Sequence, residues 1–354
     1  MPESGAGVVG RVRARSCPQG PLPDRRTLFL SWGAVAGRSA EIADALGGTA
    51  LACLPPRAKW RPAPPLRWLL SAWVTSLVLL LRRPRRLIVT NPPVFPGIIA
   101  LLYARLTGAT VVLDDHPGSF GAQGDRVAAR LMPVHRRMVP LAAACLVTAE
   151  HWADVVERWG GRALILHEAP GTWGLRPLPA APGLTRLLYV CTFGGDEPVE
   201  EVLDAARSLP SLEVHVTGDS RKFPEKLRAL VPPNVTLTGL LPFPEYRDAV
   251  YASDAVMALS TEPTSAMRAA FEAVWAGRPL VVSDWPLMAE LFPEAIRVRN
   301  DAEGIVAGVR ELAESYAGRI GHLVDSRVRQ ERRWENQLAE LRHVLGLTRP
   351  EEVG

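Results

Sequence analysis

Short apolar runs alternate with helical periods from about residue 25 onward. Residues 27–32 (TLFLSW), 86–90 (RLIVT), 110–114 (TVVLD) and 144–148 (ACLVT) are near-continuous runs of buried-type side chains. They run into polar or Gly/Pro-rich stretches: 33–37, Asn91-Pro92-Pro93 and Asp115-His116-Pro117 among them. Runs of this kind, separated by helical patterns, read as parallel strands covered on both faces. A stretch rich in Pro and Gly, 168–182, interrupts the alternation. It restarts with strands at 186–191 (RLLYVC), 213–217 (EVHVT), 235–238 (VTLT), 255–258 (AVMA) and 279–283 (PLVVS), and residues 324–345 form a charged amphipathic helix. No period of 20–50 residues repeats, which argues against a solenoid. The pattern predicts an α/β chain with two Rossmann-like, doubly wound domains facing a cleft, whose ligands sit outside the carboxyl ends of the strands. The expected division is a disordered basic arm (1–25), a first domain (26–170), a linker (171–185), a second domain (186–323) and a terminal helical segment (324–354) crossing back to the first.

The most apolar stretch, residues 66–81 (LRWLLSAWVTSLVLLL), holds sixteen residues with one internal charge and is followed at once by Arg82, Arg83, Arg85 and Arg86. A bilayer span needs about 20 residues. Two readings stand: a helix buried between strands, or one partly exposed to lipid with its arginines on anionic headgroups.

At 47% hydrophobic and 22% charged residues, the composition is that of a folded chain rather than a disordered one. The net charge of +4 hides an asymmetry: residues 1–170 carry 21 Lys and Arg against 11 acids, and the remainder 20 against 26. A basic first half suits a phosphorylated substrate or an anionic membrane surface. Cys17, Cys53, Cys145 and Cys191 form no CxxC pair and read as isolated thiols of a reducing compartment. Arg11, Arg13 and Arg15 are not followed by an apolar run, so no secretory signal is expected. A cytoplasmic protein follows, with peripheral contact to the inner face of the cell membrane open to it. The arginines are dispersed without aromatic interleaving, which excludes nucleic acid as a partner. No GxGxxG opens a helix after a strand, which removes a nicotinamide-dependent dehydrogenase.

Residues 259–286 read LSTEPTSAMRAAFEAVWAGRPLVVSDWP. This is a strand end, a polar loop, a helix over 265–275, a stop at Gly277 and another strand. A helix N-terminus offers N–H groups and a positive dipole end to a phosphate. Glu272, two turns in, can accept hydrogen bonds from ribose hydroxyls, and Arg268 lies one turn earlier on the same face. Thr264 and Ser265 stand where they can cap the helix, hold phosphate, or both.

This segment resembles the donor half of the nucleotide-sugar glycosyltransferases of family 4, which have the GT-B fold. Glu272, Ala273, Gly277 and Pro279 match the second half of the family's Glu-x7-Glu…Gly-x-Pro element, and Gly239…Pro244-Glu245-Tyr246…Tyr251…Asp254 resembles the run into it. Ser283–Pro286 (SDWP) resembles a divergent bacterial subgroup. Thr264 replaces the first Glu, and the Arg and Lys that relatives carry after the domain's first strand are missing. The resemblance then implies that Phe193, Gly194, Gly195, Gly218, Thr264 and Ser265, with Arg268, surround the donor phosphates. It also implies a last-helix aromatic at Trp334, no cofactor or bound metal, and a nucleotide-diphosphate sugar as co-substrate.

In the first domain Gly33, Gly37 and Arg38 form a loop expected against the diphosphate or acceptor, and Asn91 is expected to line the acceptor pocket. His116, at the place of the family's strand-end histidine, is a candidate general base or hydrogen-bonding group, with Asp114 or Asp115 orienting it or activating the acceptor hydroxyl. The implied activity is transfer of a hexose to a hydroxyl acceptor such as a lipid-linked glycan or polysaccharide precursor. A nucleotide-sugar epimerase or hydrolase on the same fold, and a non-catalytic GT-B partner protein, remain alternatives. Retaining and inverting chemistry both stay open.

Overall fold

The computed structural model describes residues 26–33, 37–53, 64–121, 126–178 and 183–347. The expected arm at 1–25 lies outside the described residues, as do Ala34, Val35 and Ala36 of the first glycine loop. The chain divides into two compact units, residues 1–171 with 336–354, and residues 172–335. The stretch expected as a linker, 171–185, therefore falls almost wholly in the second unit.

The first unit runs β1 (Thr27–Ser31), α1 (Arg38–Ala45), β2 (Thr49–Ala52), α2 (Pro64–Arg82), β3 (Arg86–Asn91) and α3 (Phe95–Thr107). It continues with β4 (Thr110–Asp115), α4 (Arg126–Met138), β5 (Ala144–Val147), α5 (Glu150–Arg158) and β6 (Ala163–Ile165). Its six parallel strands are ordered β2-β1-β3-β4-β5-β6. The second unit contains β7 (Arg186–Tyr189), α6 (Val199–Arg207), β8 (Glu213–Thr217), β9 (Val235–Gly239), α7 (Phe243–Ala252) and β10 (Ala255–Ala258). It ends with α8 (Arg268–Ala276), β11 (Leu280–Ser283), α9 (Pro286–Leu291), β12 (Ile296–Val298), α10 (Ala302–Ile320) and the start of α11 (Leu323–Val344). Its sheet is also parallel, ordered β12-β11-β10-β7-β8-β9. The strand order reverses between β1 and β3 in one sheet and between β7 and β10 in the other, so each sheet has one switch point where neighbouring loops diverge and leave room for a ligand.

All nine expected strands are present. The three that the pattern missed, β2, β6 and β12, are edge strands of four, three and three residues. Short edge strands carry too few positions for a period to register. The central strands are covered on both faces. In β7, Leu188 packs with Phe271 and Trp275 of α8, while Leu187 and Tyr189 join the core formed with α6 and α10. From Asn336 on, α11 packs with the first unit: Gln337 accepts the His167 N–H at 3.0 Å, and Arg86 Nε donates to the Leu345 carbonyl at 2.7 Å. Trp334 is buried just before that point. Among the described residues no helix is long and apolar enough to cross a membrane.

Candidate functional site

The donor-type element lies at the switch point of the second sheet. Helix α8 begins at Arg268, three residues later than the sequence suggests, with Met267 as its N-cap and no side chain capping it. Thr264 and Ser265 consequently sit in the preceding loop and do not cap the helix, because the Ser265 N–H turns back onto the Glu262 carbonyl (3.2 Å). Glu272 is buried on the second turn. Its Oε1 accepts from Arg268 Nε at 2.8 Å and its Oε2 from the Tyr246 hydroxyl at 2.6 Å. Burial, reinforced by the Glu272 charge, pushes the Tyr246 phenol well above its ordinary pKa, so it stays a donor. Trp173 packs edge-on against Tyr246. The helix ends at Gly277 in the left-handed conformation (φ 68), which a side chain would disfavour. Arg278 follows, buried, and donates to the carbonyls of Arg176, Pro177 and Tyr251, so it fastens the incoming chain beneath α8.

The loop after β7 is closed by its own carboxylate. Glu197 accepts the backbone N–H groups of Thr192 (2.9 Å) and Gly194 (2.7 Å). The Gly194 N–H expected to hold donor phosphate is therefore already engaged, because the loop curls round Glu197. Phe193 has a left-handed backbone (φ 59), and its ring covers Gly218, where an added Cβ would meet it at 2.5 Å. Among the described residues, nothing beyond its two chain neighbours stands within 4 Å of a Cβ built at Gly195, which leaves that position open. Asp196 reaches across the switch point: its Oδ2 accepts from the Ser260 hydroxyl at 2.9 Å and its carbonyl from the Thr261 N–H at 2.7 Å. Ser260 is held in turn, its carbonyl accepting from Trp285 Nε1 and Asn300 Nδ2 and its N–H donating to Ser283 Oγ. Asp196, Ser260 and Asn300 are not singled out as site residues in the sequence because single polar residues in loops carry no spacing signal; Ser283 is noted only as the start of the SDWP stretch.

In the first unit the carboxyl end of β4 splits the expected catalytic group. Successive side chains on a strand point to opposite faces. Asp114 turns toward Arg38, whose Nε lies 3.2 Å from Oδ1 and which also contacts Glu168 (3.3 Å) and the carbonyls of Leu166 (2.7 Å) and His167 (3.0 Å). Burial works against the Asp114 charge, but Arg38 and then His116 outweigh it and hold the carboxyl down to about 2. Arg38 is thus a buried strut rather than a loop cation presented to a diphosphate. Asp115 turns the other way, where its Oδ1 meets His135 Nε2 at 2.9 Å and accepts from Asn91 Nδ2 at 2.7 Å. Both side chains of the Asp115–His135 pair are fully buried. Asp115 therefore does not orient His116; Asp114 does, at 3.5 Å from Nε2, with the imidazole 43% exposed. Partial burial lowers the His116 pKa, but the Asp114 carboxylate overrides it and the net shift is upward. His135 escaped the sequence reading because it lies inside a helix, 20 positions beyond its partner.

Gly37 (φ 56) caps α1, and the Gly33 N–H donates to Ser31 Oγ at 2.9 Å. Asn91, Pro92 and Pro93 line a cavity of about 340 Å³ with Trp32, Trp68 and Ser119. That cavity lies at the β1/β3 switch point. Among the described residues no cluster of three or more His, Cys, Asp or Glu side chains is arranged to hold a metal ion.

Residues 197–343 match the family described as "Glycosyl transferase-like", a stretch that contains α8 and Glu272. Sucrose-phosphate synthase from Thermosynechococcus elongatus superposes with a TM-score of 0.68 at 15% identity, covering 90% of this chain and 98% of that one. HepE of Anabaena, solved with UDP and glucose, superposes at 0.65 and 10% identity over 91% of this chain and 100% of its own. S. aureus MnaA, solved with UDP, superposes at 0.59 and 12% identity over 91% and 98%. No protein with a curated description matches the chain in sequence. At these identities the structural likeness establishes the fold: the chain has the GT-B fold, and its residues 197–343 are similar to the glycosyl transferase-like family.

Proposed function

We propose that the chain transfers a hexosyl group from a nucleotide-diphosphate sugar, bound by the second unit, to a hydroxyl acceptor taken up by the first. The observation that carries this reading is Glu272, a buried carboxylate oriented by Arg268 and Tyr246 on the helix at the second sheet's switch point. A carboxylate offers about four acceptor sites, and one held in a fixed direction can recognise the paired hydroxyls of a ribose. The N-terminus of α8 and Arg268 then supply positive potential for the diphosphate as the sugar–phosphate bond breaks. The acceptor oxygen forms the new bond to the anomeric carbon, and its proton passes to His116, whose basicity Asp114 raises.

The cavity of about 340 Å³ is walled by Trp32, Trp68, Val94 and Leu131 as well as by Asn91. An acceptor with an apolar portion, as in a lipid-linked glycan or a polysaccharide precursor, suits that lining. UDP-sugars are the first donors to test, since HepE and MnaA were solved with UDP.

The test is calorimetric titration of UDP-, GDP- and dTDP-sugars into the wild type and Glu272→Ala, with product analysis of any turnover. One sugar is expected to bind, and the variant to weaken it roughly tenfold to a hundredfold, the worth of one charge-assisted hydrogen bond. Unchanged affinity would remove Glu272 from the site. Binding of none of them would favour the non-catalytic alternative, and release of free or epimerised sugar in place of transfer would favour the hydrolase or epimerase.

A further inference from the structure

Helix α2 is built inside out. At 100° per residue, Leu66, Leu69, Trp73, Leu77, Leu80 and Leu81 fall on one face. That face is open: Leu69 is 68% exposed, Trp73 65% and Leu81 75%. The opposite face is buried yet carries Ser71 and Thr75. Thr75 accepts the Trp32 indole N–H at 2.9 Å and donates to the Ser71 carbonyl at 2.7 Å, so the polar side is fixed inward by its own hydrogen bonds. Helix α3, which packs beside α2, adds Leu102 (61% exposed) and Leu106 (87%). An apolar surface of this extent is costly in water and marks an interaction face.

The charge around it identifies the occupant. Residues 45–113 contain nine Lys and Arg and not one Asp or Glu, so no arginine there can pair within the stretch. Arg82 closes α2, and Arg83 and Arg85 follow it. Leu80, Arg83, Arg85, Arg86 and Tyr103 line one groove of about 870 Å³, which puts the end of the apolar stripe beside the cations. Leucine and tryptophan on one face with arginines at the rim fit an interface between acyl chains and anionic headgroups. A second copy of the chain would oppose cation to cation. No described helix can cross the bilayer, and α2 is instead suited to lie in its plane.

We propose that the α2–α3 face docks the protein on an anionic lipid bilayer, with Leu69, Trp73, Leu77 and Leu80 in the acyl boundary and Arg82, Arg83 and Arg85 on headgroup phosphates. Arg67, Trp68 and Ser71 of the same helix line the cavity at the first switch point, so a lipid-linked acceptor would enter from the surface on which α2 rests. That last consequence depends on the transferase reading; the docking itself does not.

The test is flotation of the full chain with vesicles of phosphatidylcholine alone and of phosphatidylcholine with phosphatidylglycerol. The wild type is expected to float with the anionic vesicles and to dissociate as salt rises. Leu69→Glu with Trp73→Glu should lower partitioning by about tenfold per side chain. Arg83→Gln with Arg85→Gln should cost about fivefold per charge at low salt. Both variants keep the wild-type melting temperature and nucleotide-sugar affinity, which separates failure of docking from failure of the donor site. Wild type that stays with the soluble fraction, or apolar-face variants that float as the wild type does, would overturn the proposal. So would a wild-type dimer in vesicle-free buffer that Leu69→Glu with Trp73→Glu converts to monomer, since a second copy would then cover the face.

Discussion

Replacing Arg38 by methionine removes the cation that bridges two buried carboxylates, Asp114 and Glu168, whose side chains are 3% and 10% exposed. It also strips donors from the carbonyls of Leu166 and His167. Breaking a buried ion pair from one side costs about 3–5 kcal/mol, because the remaining charge stays desolvated. The effect carries a pH signature. In the wild type Asp114 is held down to about 2, so its contribution is present above the ordinary carboxylate range and is lost only as the pH falls through that depressed value. Without Arg38, burial lifts the Asp114 pKa, and acidification to about pH 4 relieves the variant by protonating it. The gap between wild type and Arg38→Met should therefore be widest near pH 8 and narrow toward pH 4. Urea unfolding, with hydrogen exchange on peptides from α1 and β4 to isolate the first unit, measures both quantities. A penalty below about 1 kcal/mol at pH 8, or one that is the same at both pH values, would refute the reasoning.

Two further outcomes follow from the same geometry. If His116 takes the acceptor proton, transfer should rise with pH through a midpoint above the ordinary histidine value, since Asp114 raises its pKa; His116→Asn should flatten that profile, and a wild-type midpoint at or below the ordinary value would contradict the role. Gly218→Ala should destabilise the second unit by about 1–3 kcal/mol in thermal melts, because φ is 141 there and the new Cβ meets the Phe193 ring at 2.5 Å.

Much of the second unit is legible in the sequence. Strand-ending runs, the 265–275 helical pattern and Gly277 predict the β10–α8–β11 unit closely, because each rests on local physics: burial on two faces, a 3.6-residue period and a left-handed stop. The helix start was misplaced by three residues, since Thr264 and Ser265 resemble caps while the chain forms a further turn through Glu262. The first half was less readable. Arg38 looked like a cation for a ligand and proved to be a strut. Asp114 and Asp115, adjacent in sequence, belong to different faces and different partners.

The sequence by itself determined the parallel α/β architecture, the β10–α8–β11 order and the concentration of positive charge in the first half. These depend on periodicity, composition and short spacings. The tertiary structure decided which partner each polar residue takes, because that depends on contacts across tens or hundreds of positions. Arg38 meets Asp114 and Glu168, Tyr246 fixes Glu272, Glu197 fills its own loop, and α2 turns Ser71 and Thr75 inward and its leucines out. A helical period reveals that a helix has two faces. Only packing shows which of them the fold covers.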